Sequence, residues 1–183
     1  MLAARANPME VELELEAQIE HAVANGLKPT HLDSHMFALG HNRDLLCVYV
    51  KVARKYDLPF LLPPKGSIGA DAVSLFQNDD ILLETCRVAS ESWSPDQWLQ
   101  HHILYLHSLK PGVNALIVHL AFNNEEMRMI QGEVKAWGSA WRQRDYDTVT
   151  SPEFRRTLTE AKVKLAGWQD VGRVSDLSKK RTS

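Results

Sequence analysis

The sequence predicts an α/β fold in which helices alternate with the short strands of a mainly parallel sheet. Apolar residues recur at three- and four-residue spacing over residues 42–56, which is the pattern of an amphipathic helix. Val113 to Val118 is a short, nearly continuous apolar run, which is typical of a buried strand. Gly26 and Pro111 break the chain between such segments. Alternation of this kind favours parallel strands joined by helical crossovers.

The composition bounds the class of protein. The 183 residues suffice for one ordinary domain, and 44% hydrophobic with 24% charged residues lies in the globular range. A net charge of −2 gives no basic surface for nucleic acid, and no apolar run is long enough to span a membrane. Cys47 and Cys86 are too isolated for a disulfide framework, so we expect reduced thiols and a cytoplasmic location.

The first predicted elements are a helix and a strand. Met9 to Asn25 is predicted to be helical, with glutamates crowding the first half, where the helix dipole favours anions. Gly26 ends this helix. Thr30 to His35 follows as a candidate strand.

A second helix is predicted from Asn42 to Tyr56, with Asn42 or Asp44 as its N-cap. Leu58 to Leu62 is short and apolar, which predicts a buried strand. Pro63 to Asp80 is rich in Pro, Gly, Ser and Asn and is predicted to be a long loop.

The third helix is predicted to begin with Ser94 as N-cap and Pro95 in the first turn, and to end near Leu109. Before it, Ile81 to Val88 is compatible with either a strand or the end of a loop. After it comes the apolar strand Val113 to Val118.

The last third of the chain is predicted to be mostly helical. A helical turn begins at Asn124, and a helix covers Glu133 to Asp147. Another helix starts with Ser151 as its cap and Pro152 in its first turn. Val163 to Trp168 is predicted to be a last short strand.

The tryptophans and histidines on these helices are predicted to have structural rather than functional roles. Trp137 and Trp141 stand four residues apart, on one helix face, and are predicted to belong to the core. His101, His102 and His107 are predicted to be surface or half-buried residues.

The candidate functional stretch is Pro29 to His35. In an extended chain, side chains alternate, so His31, Asp33 and His35 share one face. This polar face suits a metal or a general acid/base pair, whereas the alternative is a loop with surface histidines.

His119 follows the strand Val113 to Val118, and the carboxyl ends of parallel strands are where α/β enzymes place their chemistry. If the strands are parallel, His35 and His119 are expected to face the same crevice. Asp33 could then orient an imidazole, bind a metal or act as a general base. The sequence contains no Gly-rich phosphate loop, Gly-x-Ser-x-Gly elbow or His-Glu-x-x-His motif, which leaves metal-assisted hydrolysis as the indicated chemistry.

These residues carry a resemblance. Pro29-Thr30-His31-Leu32-Asp33-Ser34-His35-Met36 resembles the Pro-Thr-His-hydrophobic-Asp-Ser-His motif of the YdjC-like carbohydrate deacetylases, of the ChbG/HpnK type. Glu14 to Glu20 resembles that family's Glu-x-x-x-Gln helix, and Val118-His119 its later strand ending in His-Pro. The segment from Trp137 to Phe154 resembles its Trp-Arg-x-x-Asp…Ser segment. The match follows the family's order along nearly the whole chain.

The resemblance implies a distorted (β/α) barrel that removes acetyl groups from N-acetylated sugars or oligosaccharides. It also implies a divalent metal, Mg²⁺ or Zn²⁺, held by an aspartate and two histidines. On this mapping His35 is a metal ligand, Asp33 supports the site as a catalytic residue, and His119 acts as an acid or a substrate contact. His31 is expected to be structural.

The chain also departs from the family pattern. Nothing in it matches the family's first-strand Asp-Asp pair or a further ligand histidine, and Leu120 replaces the usual proline. We therefore expect residues 1–172 to form a single, truncated deacetylase domain, incomplete at its N-terminus and in its metal site, with 173–183 as a flexible tail. The isolated chain is then expected to be inactive or poorly active.

Two alternatives stay open: a non-catalytic α/β remnant or sugar-binding protein, and, less favoured, a metal phosphoesterase. Association into a homodimer is also left open. No nucleic acid or membrane is expected as a partner.

Overall fold

The computed structural model describes residues 5–61, 64, 72–77, 80, 82–131 and 136–172. The chain forms two compact units, one made of Met1–Leu83 with Ala166–Ser183 and the other of Glu84–Leu165. No helix within the described ranges is long and apolar enough to cross a membrane.

The first unit is built on two helices, α1 (Pro8–Ala24) and α2 (Arg43–Lys55), which pack against each other. The Asn42 side chain accepts hydrogen bonds from the first turn of α2, so Asn42 rather than Asp44 is the cap. Both predicted helices are confirmed to within a residue or two. Their shared core contains these residues: Ile19, Leu45, Leu46, Val48, Tyr49, Val50 and Val52.

The two strands predicted in this unit are much shorter than expected. Thr30–His35 and the described part of Leu58–Leu62 meet only in one parallel bridge, between Leu32 and Phe60. The pairing cannot extend on one side because Pro59 has no N–H to donate. On the other side a 3₁₀ segment, His35–His41, turns the chain away. The predicted loop Pro63–Asp80 lies largely outside the described residues, and its described part includes a 3₁₀ turn, Val73–Leu75.

The second unit contains a parallel pair of strands, β1 (Thr85–Val88) and β2 (Asn114–Ile117), which pair in register from Thr85 with Asn114. Between them in sequence lie a 3₁₀ turn, Pro95–Gln97, and α3 (Trp98–His107). The predicted parallel pairing with a helical crossover is confirmed here. Of the range Ile81–Val88, which the sequence left open between a strand and a loop, Thr85–Val88 forms the strand, and Ile81 lies outside the described residues. A closed or distorted barrel stays a prediction.

Three helices complete this unit: α4 (Glu125–Gln131), α5 (Ser139–Thr150) and α6 (Pro152–Glu160). The Ser151 hydroxyl accepts a hydrogen bond from the Phe154 N–H, which confirms the predicted cap. The predicted helix Glu133–Asp147 begins late, at Ser139, because Trp137 has left-handed backbone angles (φ 62°) that a helix interior excludes. Residues 133–135 lie outside the described ranges.

The predicted strand Val163–Trp168 is wrong. Residues 163–167 have no regular structure, and residues 168–172 form a helical turn. Residues 164–167 are exposed, so they bury no apolar face of the kind that holds a strand in a sheet.

Candidate active site

The stretch that carries Asp33 and His35 presents both side chains to solvent, while Ser34 between them is buried. The alternation expected of an extended chain is therefore present, although only Leu32 is paired. Exposure leaves the carboxylate and the imidazole accessible to a ligand or a metal ion. The expected pair of neighbouring functional groups is thus placed on the surface of the first unit.

Buried and partly buried hydrogen bonds hold the backbone beneath these two groups. The Tyr49 hydroxyl donates to the Leu32 carbonyl oxygen at 2.7 Å, and the Leu61 N–H donates to the same oxygen at 3.0 Å. The Ser34 hydroxyl accepts from the Leu39 N–H at 3.1 Å. Burial, reinforced by the charge of Asp33, raises the pKa of Tyr49, so its hydroxyl remains a donor at any pH the protein meets.

His35 precedes a backbone kink. Met36 and Phe37 both have left-handed backbone angles, with φ of 52° and 53°. Two consecutive non-glycine residues in this region cost about 2 kcal/mol or more. The Phe37 N–H donates to the Ser34 carbonyl at 2.6 Å, which closes a tight turn around His35. The two strained residues, Met36 and Phe37, therefore directly follow the predicted metal ligand, His35.

His31 is less exposed than Asp33 and His35, with which it was expected to share a face. It is half-buried, and its ring stacks on the indole of Trp168. Burial lowers the pKa of His31, with Asp33 opposing the shift. The expected structural role for His31 agrees with this packing.

His119 follows β2 and is half-buried in the second unit. Its backbone N–H donates to Oδ2 of Asp145 at 2.9 Å. Its ring packs against the indole of Trp137, with centroids 4.5 Å apart. The predicted position, just beyond the end of a parallel strand, is confirmed.

Asp145 was not predicted as part of the site. It lies within the helix predicted over Glu133 to Asp147, and it is 1% exposed. Its Oδ1 accepts from the Trp98 indole N–H at 2.8 Å, while Oδ2 holds His119. Its position in the Trp-Arg-x-x-Asp segment was the signal that could have singled it out.

The prediction for His102 is wrong, because this residue is completely buried. Its Nδ1 lies 2.8 Å from the Trp98 carbonyl oxygen, and the ring packs edge-on against Trp93. Nε2 has no hydrogen-bond partner within the described part of the chain. Burial lowers the pKa of His102, so the ring is neutral at pH 7. The prediction that Trp141 belongs to the core is confirmed, and Trp137 packs against it while remaining half-buried.

The described residues do not form a complete metal site. Among the described residues, no group of three or more His, Cys, Asp and Glu side chains is arranged to hold an ion. A catalytic divalent metal ordinarily takes three protein ligands. His35 and Asp33 alone therefore do not satisfy the ligand set that the resemblance implies, and the shared crevice for His35 and His119 stays a prediction.

Comparison with known proteins places this geometry in a family. The sequence profile of the YdjC-like proteins matches residues 1–160. The chain belongs to the YdjC-like family. A carbohydrate deacetylase of Thermus thermophilus is 34% identical to this YdjC-like chain over 161 residues, which are 85% of the chain. A carbohydrate deacetylase of Enterococcus faecalis is 36% identical over 74 residues, 40% of this chain and 28% of that enzyme.

The fold of the chain is also similar to that of a solved structure. A crystal structure from Enterococcus faecalis, named as a candidate cellobiose-phosphate cleavage protein, superimposes with a TM-score of 0.67 and 25% identity over 89% of this YdjC-like chain. The chain spans 58% of the length of the Thermus relative and 60% of that solved chain.

Proposed function

We propose that this YdjC-like chain takes part in the hydrolytic removal of acetyl groups from N-acetylated carbohydrates. The observation that carries the proposal is the 34% identity with a carbohydrate deacetylase over 85% of the chain. The exposed Asp33–His35 pair and His119 at the end of a parallel strand supply groups that such a hydrolysis uses. We include in the proposal the distorted (β/α) barrel as the complete fold and the cytoplasm as its location.

Hydrolysis of an acetamido group needs a base to activate water and an acid to protonate the leaving amine. In this proposal Asp33 is the base or supports it, because its carboxylate is exposed beside His35. His119 protonates the amine or contacts the sugar. A divalent metal, Mg²⁺ or Zn²⁺, would supply Lewis-acid polarisation of the acetyl carbonyl, with His35 as one ligand.

The test is an assay for acetate released from N-acetylated disaccharides by the purified full chain, after chelation and then with added Mg²⁺ or Zn²⁺. His35→Ala is expected to abolish metal-stimulated release. His41→Ala is the matched control, because His41 is an exposed histidine in the same 3₁₀ segment. Metal-independent acetate release, or equal activity in His35→Ala and the parent chain, would contradict the assigned role of His35.

A sugar-binding protein without catalysis is the second candidate. It is favoured by one observation, that no three-ligand cluster lies within the described ranges. Calorimetric titration with an N-acetylated disaccharide distinguishes the two candidates. Binding with no acetate release under any metal supports the second candidate, whereas turnover supports the first.

A further inference from the structure

Asp145 is buried in the second unit, where its environment is unusual for a carboxylate. It is 1% exposed, and its two oxygens accept from neutral N–H donors, the Trp98 indole and the His119 backbone. Burying a charged group is costly unless hydrogen bonds compensate for the lost water. An amide of the same shape would avoid the charge, so a carboxylate here suits a site where both oxygens must accept.

The geometry points to Asp145 as a positioning residue that fixes His119, an inference that rests on the proposed role of His119. Oδ2 holds the backbone N–H of His119 at 2.9 Å, and Oδ1 is held in turn by Trp98 at 2.8 Å. The carboxylate therefore cannot rotate without breaking one of these two hydrogen bonds, of which the one from Trp98 is buried and the one from His119 is partly buried. It connects α3 and α5 to the residue that follows β2.

The imidazole of His119 is also supported from its face. The Trp137 indole packs against it at 4.5 Å, and Trp137 packs on Trp141 at 4.6 Å. Trp137 is itself held, because Nε of Arg142 donates to its carbonyl oxygen at 2.7 Å. Asp145 thus fixes the backbone of His119 while this aromatic wall limits the orientations of its ring. A histidine held on two sides is preorganised for proton transfer or substrate contact.

Asp145→Asn is the sharpest variant, because it keeps the shape but replaces one acceptor oxygen with an NH₂ group. That group would face one of the two N–H donors, so one of the two hydrogen bonds is lost whichever way the amide turns. Asp147→Asn is the matched control, since Asp147 is an exposed residue on the same helix whose carboxylate accepts a hydrogen bond from the neighbouring Gln143 side chain.

The experiment combines NMR with kinetics on the full chain. In Asp145→Asn we expect the ring resonances of His119 to shift or broaden and its amide to lose hydrogen-exchange protection. We expect kcat for acetate release to fall at least tenfold with KM changed less than twofold. Asp147→Asn should resemble the parent chain in every measurement.

A folded Asp145→Asn variant whose His119 resonances, amide exchange and kcat match the parent would overturn the inference. The NMR measurements need no turnover, so they test the positioning even if the proposed deacetylation fails. If Asp145→Asn does not fold, Trp98→Phe removes the Oδ1 donor while keeping an aromatic ring in the core, although the smaller ring leaves part of the buried indole space unfilled. The inference then requires altered His119 resonances in Trp98→Phe, and unaltered ones would refute it.

Discussion

The imidazole of His31 lies flat on the indole of Trp168, with ring centroids 4.4 Å apart and planes 5° from parallel. The contact joins two segments of the first unit that are far apart in sequence, the candidate stretch and the turn at residues 168–172. It partly shields one histidine of the predicted polar face from solvent and leaves Asp33 and His35 as the exposed groups.

Trp168→Ala is expected to lower the free energy of unfolding by about 1 kcal/mol, because an aromatic pair contributes roughly that beyond its buried area. It should also raise the pKa of His31 toward its ordinary value, since burial is the main cause of the lowered pKa. Denaturant unfolding and NMR titration measure the two effects. Trp168→Phe keeps an aromatic ring and should lower the free energy of unfolding by less than Trp168→Ala. Equal decreases in the two variants would argue against a stabilising stacking contact.

Acid should destabilise the protein partly through His102. Burial lowers the pKa of the folded-state His102, with Arg87 and His101 adding to the shift and Asp145 opposing it. The unfolded chain therefore binds the proton more readily. The stability contributed by neutral His102 is fully present above about pH 6.5 and is lost as the pH falls toward the lowered value, by up to about 1.4 kcal/mol per pH unit.

This pH dependence is measured as the free energy of unfolding between pH 7.5 and 5. His102→Gln should reduce the slope. His107→Gln, a change at an exposed position of the same helix, should leave it unchanged. A slope unaffected by His102→Gln would show that other groups cause the acid sensitivity.

Tyr49→Phe should lower the free energy of unfolding by about 1 kcal/mol, because it leaves the partly buried Leu32 carbonyl with one hydrogen bond fewer. It should also raise KM or lower kcat in any acetate-release assay, since that carbonyl adjoins Asp33. Tyr56→Phe is the control, because its hydroxyl donates to Glu20 at an exposed position. Equal unfolding free energies for the two variants would contradict the prediction.

Gly40→Ala should destabilise the turn after His35. A methyl group at Gly40 would overlap the ring of Phe37, which already has a left-handed backbone. Overpacking of this kind costs about 1–3 kcal/mol. Gly167→Ala provides the comparison, because its added methyl meets only Oδ2 of Asp170, at 3.9 Å. Thermal unfolding of both variants tests the difference, and a Gly40→Ala variant as stable as Gly167→Ala would be inconsistent with it.

Much of the local structure is predictable from the sequence. The caps at Asn42 and Ser151 involve hydrogen bonds to residues two or three positions away, and α2 follows from a repeated apolar spacing. Such features depend on a few contiguous residues, so the sequence contains their cause. The parallel pairing of β2 was likewise indicated by its apolar run and the preceding helix.

The errors have a common physical origin. Thr30–His35 and Val163–Trp168 are both predicted as strands from short local patterns, but a strand needs a neighbour with which to exchange backbone hydrogen bonds. The first segment finds a partner only at Leu32, and the described part of the second finds none. His102 was placed near the surface because a histidine on a helix gives no local sign of burial.

The sequence by itself determined the first two helices, the caps at Asn42 and Ser151, the crossover between parallel strands, the shared face of Asp33 and His35 and the resemblance to the YdjC-like family. Only the tertiary structure decided that Asp145 holds His119, 26 residues away, and that His31 packs on Trp168. The physical reason is the distance along the sequence over which each interaction acts. Local hydrogen bonds and periodicity are encoded in neighbouring residues, whereas burial and contacts between distant residues depend on how the elements pack.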